Sequence, residues 1–185
     1  MTQKLNQRFN IRYEIKGKIA FRKRHFSPFI HLFLPDFNMK IKISIGNINN
    51  CIEVSDKIPE FSDKKYDITD YKRRLDKTFH LILIAYDNNE AVGFKVGYDR
   101  DKNGTFYSWM GGVIPEYRQR GVAKELAKRQ EQLVRKEGFK FISFKTRNYL
   151  KAMLVFGIRN GFNITGIEEK NIASENRIIL KKALN

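Results

Sequence analysis

Residues 111–123 read Gly-Gly-Val-Ile-Pro-Glu-Tyr-Arg-Gln-Arg-Gly-Val-Ala and carry the most chemically suggestive spacing in the chain. An extended stretch ending at Val113 runs through Pro115 and Glu116 into a helix predicted over residues 117–137, so Arg118, Arg120 and Gly121 fall in its first turn. The first N–H groups of a helix lack internal acceptors, and the macrodipole adds partial positive charge there. Phosphate is the commonest occupant of such a cup. Gly121 lets backbone approach a ligand without a Cβ in the way, and two guanidinium groups add charge-assisted donors. The competing reading is an ordinary helix start with solvated arginines, although helix starts favour Asp or Glu. The segment is not a Walker loop, because no Gly-Lys-Ser/Thr is present. It is not a dinucleotide fingerprint either, because the three-glycine spacing is missing.

Other reactive side chains are sparse. Cys51 is the single cysteine, which excludes an internal disulfide, and with His25, His31 and His80 scattered it builds no zinc site. Cys51 falls on a helical pattern and reads as a small buried hydrophobe rather than a nucleophile. Charge is abundant: 36 Lys+Arg against 20 Asp+Glu give +16 over 185 residues. Such a surplus favours polyanionic partners, from nucleic acid to phosphorylated small molecules. Part of it reflects composition, since Lys, Asn and Ile are all abundant.

The elements that would position these groups follow from periodicity. Residues 40–45 alternate as a strand, residues 47–56 and 66–78 read as two weakly amphipathic helices, and residues 80–86, 91–98 and 105–113 form an antiparallel meander. The helix over 117–137 presents Val122, Ala123, Leu126, Ala127, Gln130, Leu133 and Val134 on one face and closes at Gly138. A strand over 139–145, a helix over 148–160 and a hairpin of 162–168 with 177–182 complete the order. Strand, crossover helix and strand over 105–145 demand a parallel pair inside a mixed sheet. The fold class is therefore α/β (α+β), a single mixed, mostly antiparallel sheet flanked by helices. Two segments are expected: a basic, aromatic-rich extension over 1–38 and one domain over 39–185. The extension holds eight basic and two acidic residues and seven aromatics, and its apolar stretch 26–37 is too short to span a bilayer. An extension packed on the domain is favoured over one lying on an anionic membrane surface. Met39, where the regular pattern begins, is an alternative start.

Arg118-x-x-Gly121-x-Ala123, preceded by Val113-x-Pro115 on a strand, resembles motif A of the GCN5-related N-acetyltransferases. Twenty-five residues past Ala123, Asn148 opens a helix ending in Asn160-Gly161-Phe162, which looks like the family's second signature. The resemblance covers residues 40–183 in element order and leaves 1–38 outside. It implies a GNAT-like acyl-CoA N-acyltransferase fold and transfer of an acetyl group from acetyl-CoA to a primary amine, by direct attack on the thioester. Backbone amides of Gln119, Arg120, Gly121, Val122, Ala123 and Lys124 would cradle the pyrophosphate, with Arg118 beside them. Gly111, Gly112 and Val113 would pair with the pantetheine arm, and the Val113 N–H would polarise the thioester carbonyl. A bulge near Gly112 would splay this strand from 141–145 and open the slot. Asn148 would bond the pantetheine.

The chain departs from the family where proton transfer is concerned. Trp109 stands where many members carry a Glu, and Val155-Phe156-Gly157-Ile158 replaces the usual late-helix Tyr. Tyr107 and Tyr149 are nearby phenols, but Tyr107 has the opposite strand parity to Ser108 and Met110, so no catalytic residue is assigned. Trp109 reads as a core aromatic rather than a substrate-stacking ring, and Glu116 as a helix-dipole partner. The acceptor loops, residues 47–78, contain Glu53, Asp56, Glu60, Asp63, Asp67 and Asp70, which could hold a cationic amine. The expected partners are acetyl-CoA and an amine acceptor, a small molecule or a protein amine, with no metal. A homodimer stays open, and nucleic acid or membrane contact through 1–38 is the lesser expectation. The expected location is cytoplasmic. The competing function is a non-catalytic acyl-CoA-binding module, or a basic module for RNA, ribosome or membrane surfaces on the same fold.

Overall fold

The computed structural model describes residues 40–62 and 65–184. The readings placed on the extension, on Met39 and on Asp63 lie outside the described residues. Strand β1 (Ile41–Ile45) leads to α1 (Ile48–Asp56), a 3-10 turn (Pro59–Phe61) and α2 (Ile68–Leu75). The meander β2 (His80–Asp87), β3 (Glu90–Tyr98) and β4 (Thr105–Val113) follows. A second 3-10 turn (Pro115–Tyr117) precedes α3 (Val122–Lys136), then β5 (Phe141–Arg147), α4 (Lys151–Arg159), β6 (Asn163–Glu168) and β7 (Arg177–Ala183). The strands form one sheet in the order β1-β2-β3-β4-β5-β7-β6, antiparallel except for β4 with β5.

Local chemistry sets the helix starts. Asn47 and Asn50 exchange side-chain and backbone hydrogen bonds as a capping box on α1, and Asp67 caps α2 by accepting from the Asp70 N–H at 2.8 Å. The Asp67 cap starts α2 at Ile68, and the helix runs to Leu75, inside the 66–78 expected from periodicity.

Helices cover both faces. Gly112 faces Ile58 and Phe61, on the α1 side. Gly93 faces Leu126, on the α3 side. Helix α4 shares the α3 face: Gly157 lies against Leu180, and Lys182, two residues on along β7, bonds Glu131 of α3 at 2.6 Å. Val122, Leu126, Ala127, Gln130 and Val134 are the residues α3 buries, each apolar one contributing roughly 1–3 kcal/mol by leaving water.

Two features of β4 depart from simple alternation. Val96 pairs with Met110 and Gly97 with Ser108, so Trp109 is an extra residue on β4 and the bulge lies there, not near Gly112. An extra residue twists the strand and shifts its side-chain parity. Tyr71 consequently touches both, its ring 5.2 Å from the Trp109 ring and its hydroxyl 3.5 Å from Met110 Sδ. Tyr107, whose ring lies 5.8 Å from that of Tyr98, therefore shares the α1–α2 face with Met110, correcting the parity expected from the sequence. The second feature is the short β4–β5 contact, which comprises only Thr105, Phe106 and Tyr107 against Phe141, Ile142 and Ser143. From Ser108 on, where the bulge follows at Trp109, the two strands part.

Candidate functional site

The parting of β4 and β5 leaves one edge of β4 free inside the sheet. Ile114 donates its N–H to Val92 O at 3.0 Å. Hydrogen bonding alternates along an antiparallel pair, so Gly112 faces β3 while the amides of Gly111 and Val113 face the open side. Such an edge is a template for an extended ligand. Gly111 is required there on packing grounds, since a Cβ would lie 2.8 Å from Phe94 O. On the opposite wall, Thr146 of β5 is buried and its Oγ1 has no partner among the described residues.

The turn leading to α3 differs from the expected long helix. Arg118 is extended, Gln119 is left-handed at φ 60, and Gly121 is left-handed at φ 84 as the N-cap, so α3 starts five residues later, at Val122. Left-handed geometry favours glycine, and no side chain caps the helix. The amides of Val122, Ala123 and Lys124 accordingly open α3 as unsatisfied donors. Left-handed and right-handed residues in succession also turn neighbouring N–H groups toward a common point. Lys124 and Gly121 are exposed beside this cup.

The arginines fall outside the first helical turn and do different work. Arg118 donates twice to the Glu60 carboxylate, at 2.8 and 2.7 Å, and once from Nε to Val113 O at 3.1 Å. Its guanidinium is spent on tying the turn to the Pro59–Phe61 segment, and that hydrogen bond holds the Glu60 carboxyl below its ordinary range. Arg120 lies 5.4 Å over the Tyr117 ring, whose hydroxyl donates to Asp87 at 3.1 Å. Glu116 sits in the three-residue 3-10 segment, six residues before α3 and therefore not at that helix's start as expected.

Asn148 precedes α4 by three residues instead of opening it. Its Nδ2 donates to Ala173 O at 3.1 Å and its Oδ1 accepts from Lys151 at 2.8 Å, so in this arrangement the side chain joins β5 to the β6–β7 connection. Within α4, a Cβ on Gly157 would stand 2.7 Å from Phe144 Cζ, leaving no room for a phenol on that inward position.

The α1–α2 face carries an aromatic layer. Trp109, half-buried, meets Tyr66 at 5.1 Å and Tyr98 at 6.2 Å, and the Arg74 guanidinium covers it at 4.7 Å. Trp109 is thus a packed aromatic already holding the protein's own cation. The five described carboxylates expected to greet a cationic acceptor are all engaged: Glu53 with Lys57, Asp56 with Lys65, Glu60 with Arg118, Asp67 as a cap, Asp70 with Arg73 and Arg74. Cys51 is fully buried and burial pushes its thiol to about 12, which makes it inert. Tyr107 is buried, so desolvation raises its phenol, opposed by Arg100 whose guanidinium lies 3.9 Å over the ring. Among the described residues no group of three His, Cys, Asp or Glu could hold a metal, and no helix is long and apolar enough to cross a membrane.

A mixed sheet whose one parallel pair splays ahead of a glycine-led helix is the fold of the acyl-CoA N-acyltransferases. The chain belongs to the acetyltransferase (GNAT) family, whose model matches residues 48–162. Its fold is similar to that of the ribosomal-protein-S18-alanine N-acetyltransferase from Escherichia coli, with TM-score 0.65 at 14% identity over 78% of this chain and 94% of that one. Ard1 from Thermoplasma volcanium aligns with TM-score 0.64 at 19% identity, over 77% of this chain and 97% of that one. A GNAT family acetyltransferase from Elizabethkingia anophelis with acetyl-CoA bound aligns with TM-score 0.62 at 20% identity, over 77% and 97%. At these identities the likeness is one of fold. No match is found among curated protein sequences.

Proposed function

We propose that this protein transfers an acetyl group from acetyl-CoA to a primary amine. The observation that carries the reading is the free inner edge of β4, running directly into the uncapped, Gly121-led start of α3. One line of backbone thus offers donors for an extended amide-bearing arm and then for a pyrophosphate. The unspent Thr146 hydroxyl and the side-chain-free Gly111 fit such a guest.

When bound, acetyl-CoA supplies a thioester carbonyl open to attack. The Gly111 and Val113 amides orient the arm, and the Val113 N–H donates to the carbonyl oxygen as negative charge grows there. Amides 119–124 hold the pyrophosphate, helped by the Lys124 and Arg120 charges. The amine nitrogen forms a bond to the carbonyl carbon, the C–S bond breaks, the nitrogen loses one proton and the sulfur gains one. With Gly157 packed on Phe144 and Trp109 under Arg74, neither place offers an acid or base, which leaves these protons to water or to the acceptor amine's own equilibrium.

Isothermal titration with acetyl-CoA, followed by thiol release against a panel of amines, tests the reading. Expected are binding with micromolar affinity and amine-dependent release. Absence of binding at ~100 μM, well above the micromolar KM values common among enzymes, overturns it. Binding without release to any amine supports the non-catalytic alternative.

A further inference from the structure

The face of the sheet on which the wedge opens toward an acceptor carries an unspent positive charge. Past Ser143, the last β5 residue paired to β4, Lys145 and Arg147 line the lip of the wedge on the side opposite Phe144, and therefore on the α1–α2 face. Arg177 of β7 stands directly across from Arg147 in the register, on that same face. Like charges placed directly opposite on neighbouring strands are destabilising, and nothing in the core requires either one, since both side chains reach solvent.

Compensation is incomplete. Glu175 pairs with Arg147 at 3.2 Å, and Glu168 pairs with Lys145. Among the described residues, Arg177 and Lys170 have no carboxylate within ion-pair distance; Glu168, across from Arg177 on β6 and already paired to Lys145, faces them and is shared by three cations. Arg147, Lys170 and Arg177, with Asn171, Ile172 and Glu175, line a cleft of about 380 Å³. The connection forming it is held in place by backbone: Asn148 N–H donates to Asn176 O at 2.8 Å, Tyr149 N–H to Ser174 O at 3.0 Å, and Lys170 N–H to Asn176 Oδ1 at 2.8 Å. The cleft neighbours the wedge, because Arg147 belongs to both: it lines the cleft and lies on β5 past Ser143, the last residue paired to β4.

We infer that this cleft binds an anionic group, carboxylate or phosphate, carried by the amine acceptor, through Arg147, Lys170 and Arg177. The inference rests on the acetyl-transfer reading and names its acceptor class: an amine bearing an anion, not a polycation. The cleft lies on the face opposite α3, so it does not duplicate the pyrophosphate cup. The carboxylates described over residues 47–78 fit the same conclusion, because Glu53, Asp56, Glu60 and Asp70 each already pair with one of the protein's own cations.

The test uses the full chain, inorganic phosphate and acetate as probes, and NMR of arginine Nε groups at constant ionic strength, with and without saturating coenzyme A. Expected is a saturable shift of the Arg147 and Arg177 signals that survives coenzyme A, with affinity at least tenfold weaker in Arg177→Gln and in Lys170→Gln. Lys42→Gln, which removes one exposed charge on β1, leaves the affinity unchanged. The stronger of the two probes identifies the anion as phosphate or carboxylate. No saturable shift with either probe, an equal loss in Lys42→Gln, or displacement by coenzyme A each overturns the inference. Calorimetry with coenzyme A on the same samples reports separately on the acetyl-transfer reading, so either idea can fail without the other.

Discussion

Gly121→Ala separates a ligand site from an ordinary turn. Gly121 is left-handed at φ 84, and a Cβ built there meets no atom within 4 Å. The substitution therefore introduces no clash in the protein itself. Its cost is the left-handed backbone of an L-residue, about 1–2 kcal/mol, and Gln119 at φ 60 shows that this turn tolerates such a residue. For a domain of this size that corresponds to a fall in Tm of about 2–8 °C. If the amides around Gly121 hold a pyrophosphate, the new methyl stands where the anion must approach. Loss of one hydrogen bond to a charged group costs about 1.5–3 kcal/mol, a roughly 10- to 100-fold weaker coenzyme A affinity. Gly138→Ala supplies the control: Gly138 has φ 88 and an equally open Cβ position, at the far end of α3. Calorimetry and thermal melts on both variants read the two quantities separately. The expected pattern is a similar loss of Tm in both and a loss of affinity in Gly121→Ala alone. Equal affinities in the two variants would refute the pyrophosphate cup.

Lys95→Met should stabilise the protein at pH 7. Lys95 lies on the α3 face near Glu131, and burial lowers its ammonium from 10.5 to about 8, a penalty of at most about 3 kcal/mol. Because the unfolded chain holds the proton more tightly, the penalty is complete below pH 8 and fades as pH rises from there toward 10.5. The gain of Lys95→Met over the parent, read by denaturant titration, should shrink over that window; a pH-independent gain would exclude this cause. Thr146→Val removes a buried hydroxyl that lacks a partner and should raise stability by about 1 kcal/mol. The same variant should weaken coenzyme A binding; a rise in Tm without loss of affinity would remove Thr146 from the cofactor wall. The Cys51 thiol should resist a disulfide reagent at pH 8 in the folded protein and react fully in denaturant, and rapid native labelling would contradict its burial.

Much of the architecture is legible in the chain itself. Periodicity places all the described strands and helices in order, because each element must present an apolar face at its own repeat. Thr105–Val113 has the predicted bounds, and the Arg118-x-x-Gly121-x-Ala123 spacing marks the turn that the structure shows ahead of α3. The local misreadings are of helix bounds: α3 starts late because left-handed Gln119 and Gly121 defer it, Asn148 precedes α4 rather than opening it, and α2 is shorter than its periodicity suggested.

What the tertiary structure decided concerns pairs of residues distant in sequence. The bulge falls at Trp109 because β3 and β4 must keep Val96 on Met110 and Gly97 on Ser108, a register that no local pattern records. Arg118, which local spacing places beside the cup, meets Glu60 in the fold, 58 residues away. Likewise the Arg147–Arg177 juxtaposition exists only once β5 and β7 are paired. Of the net +16, the part carried by residues 40–62 and 65–184 is a composition that only pairing across the fold sorts into engaged and available charges. Local spacing determines where a helix can begin, whereas which charges are spent and which are left to meet a ligand depends on long-range pairing.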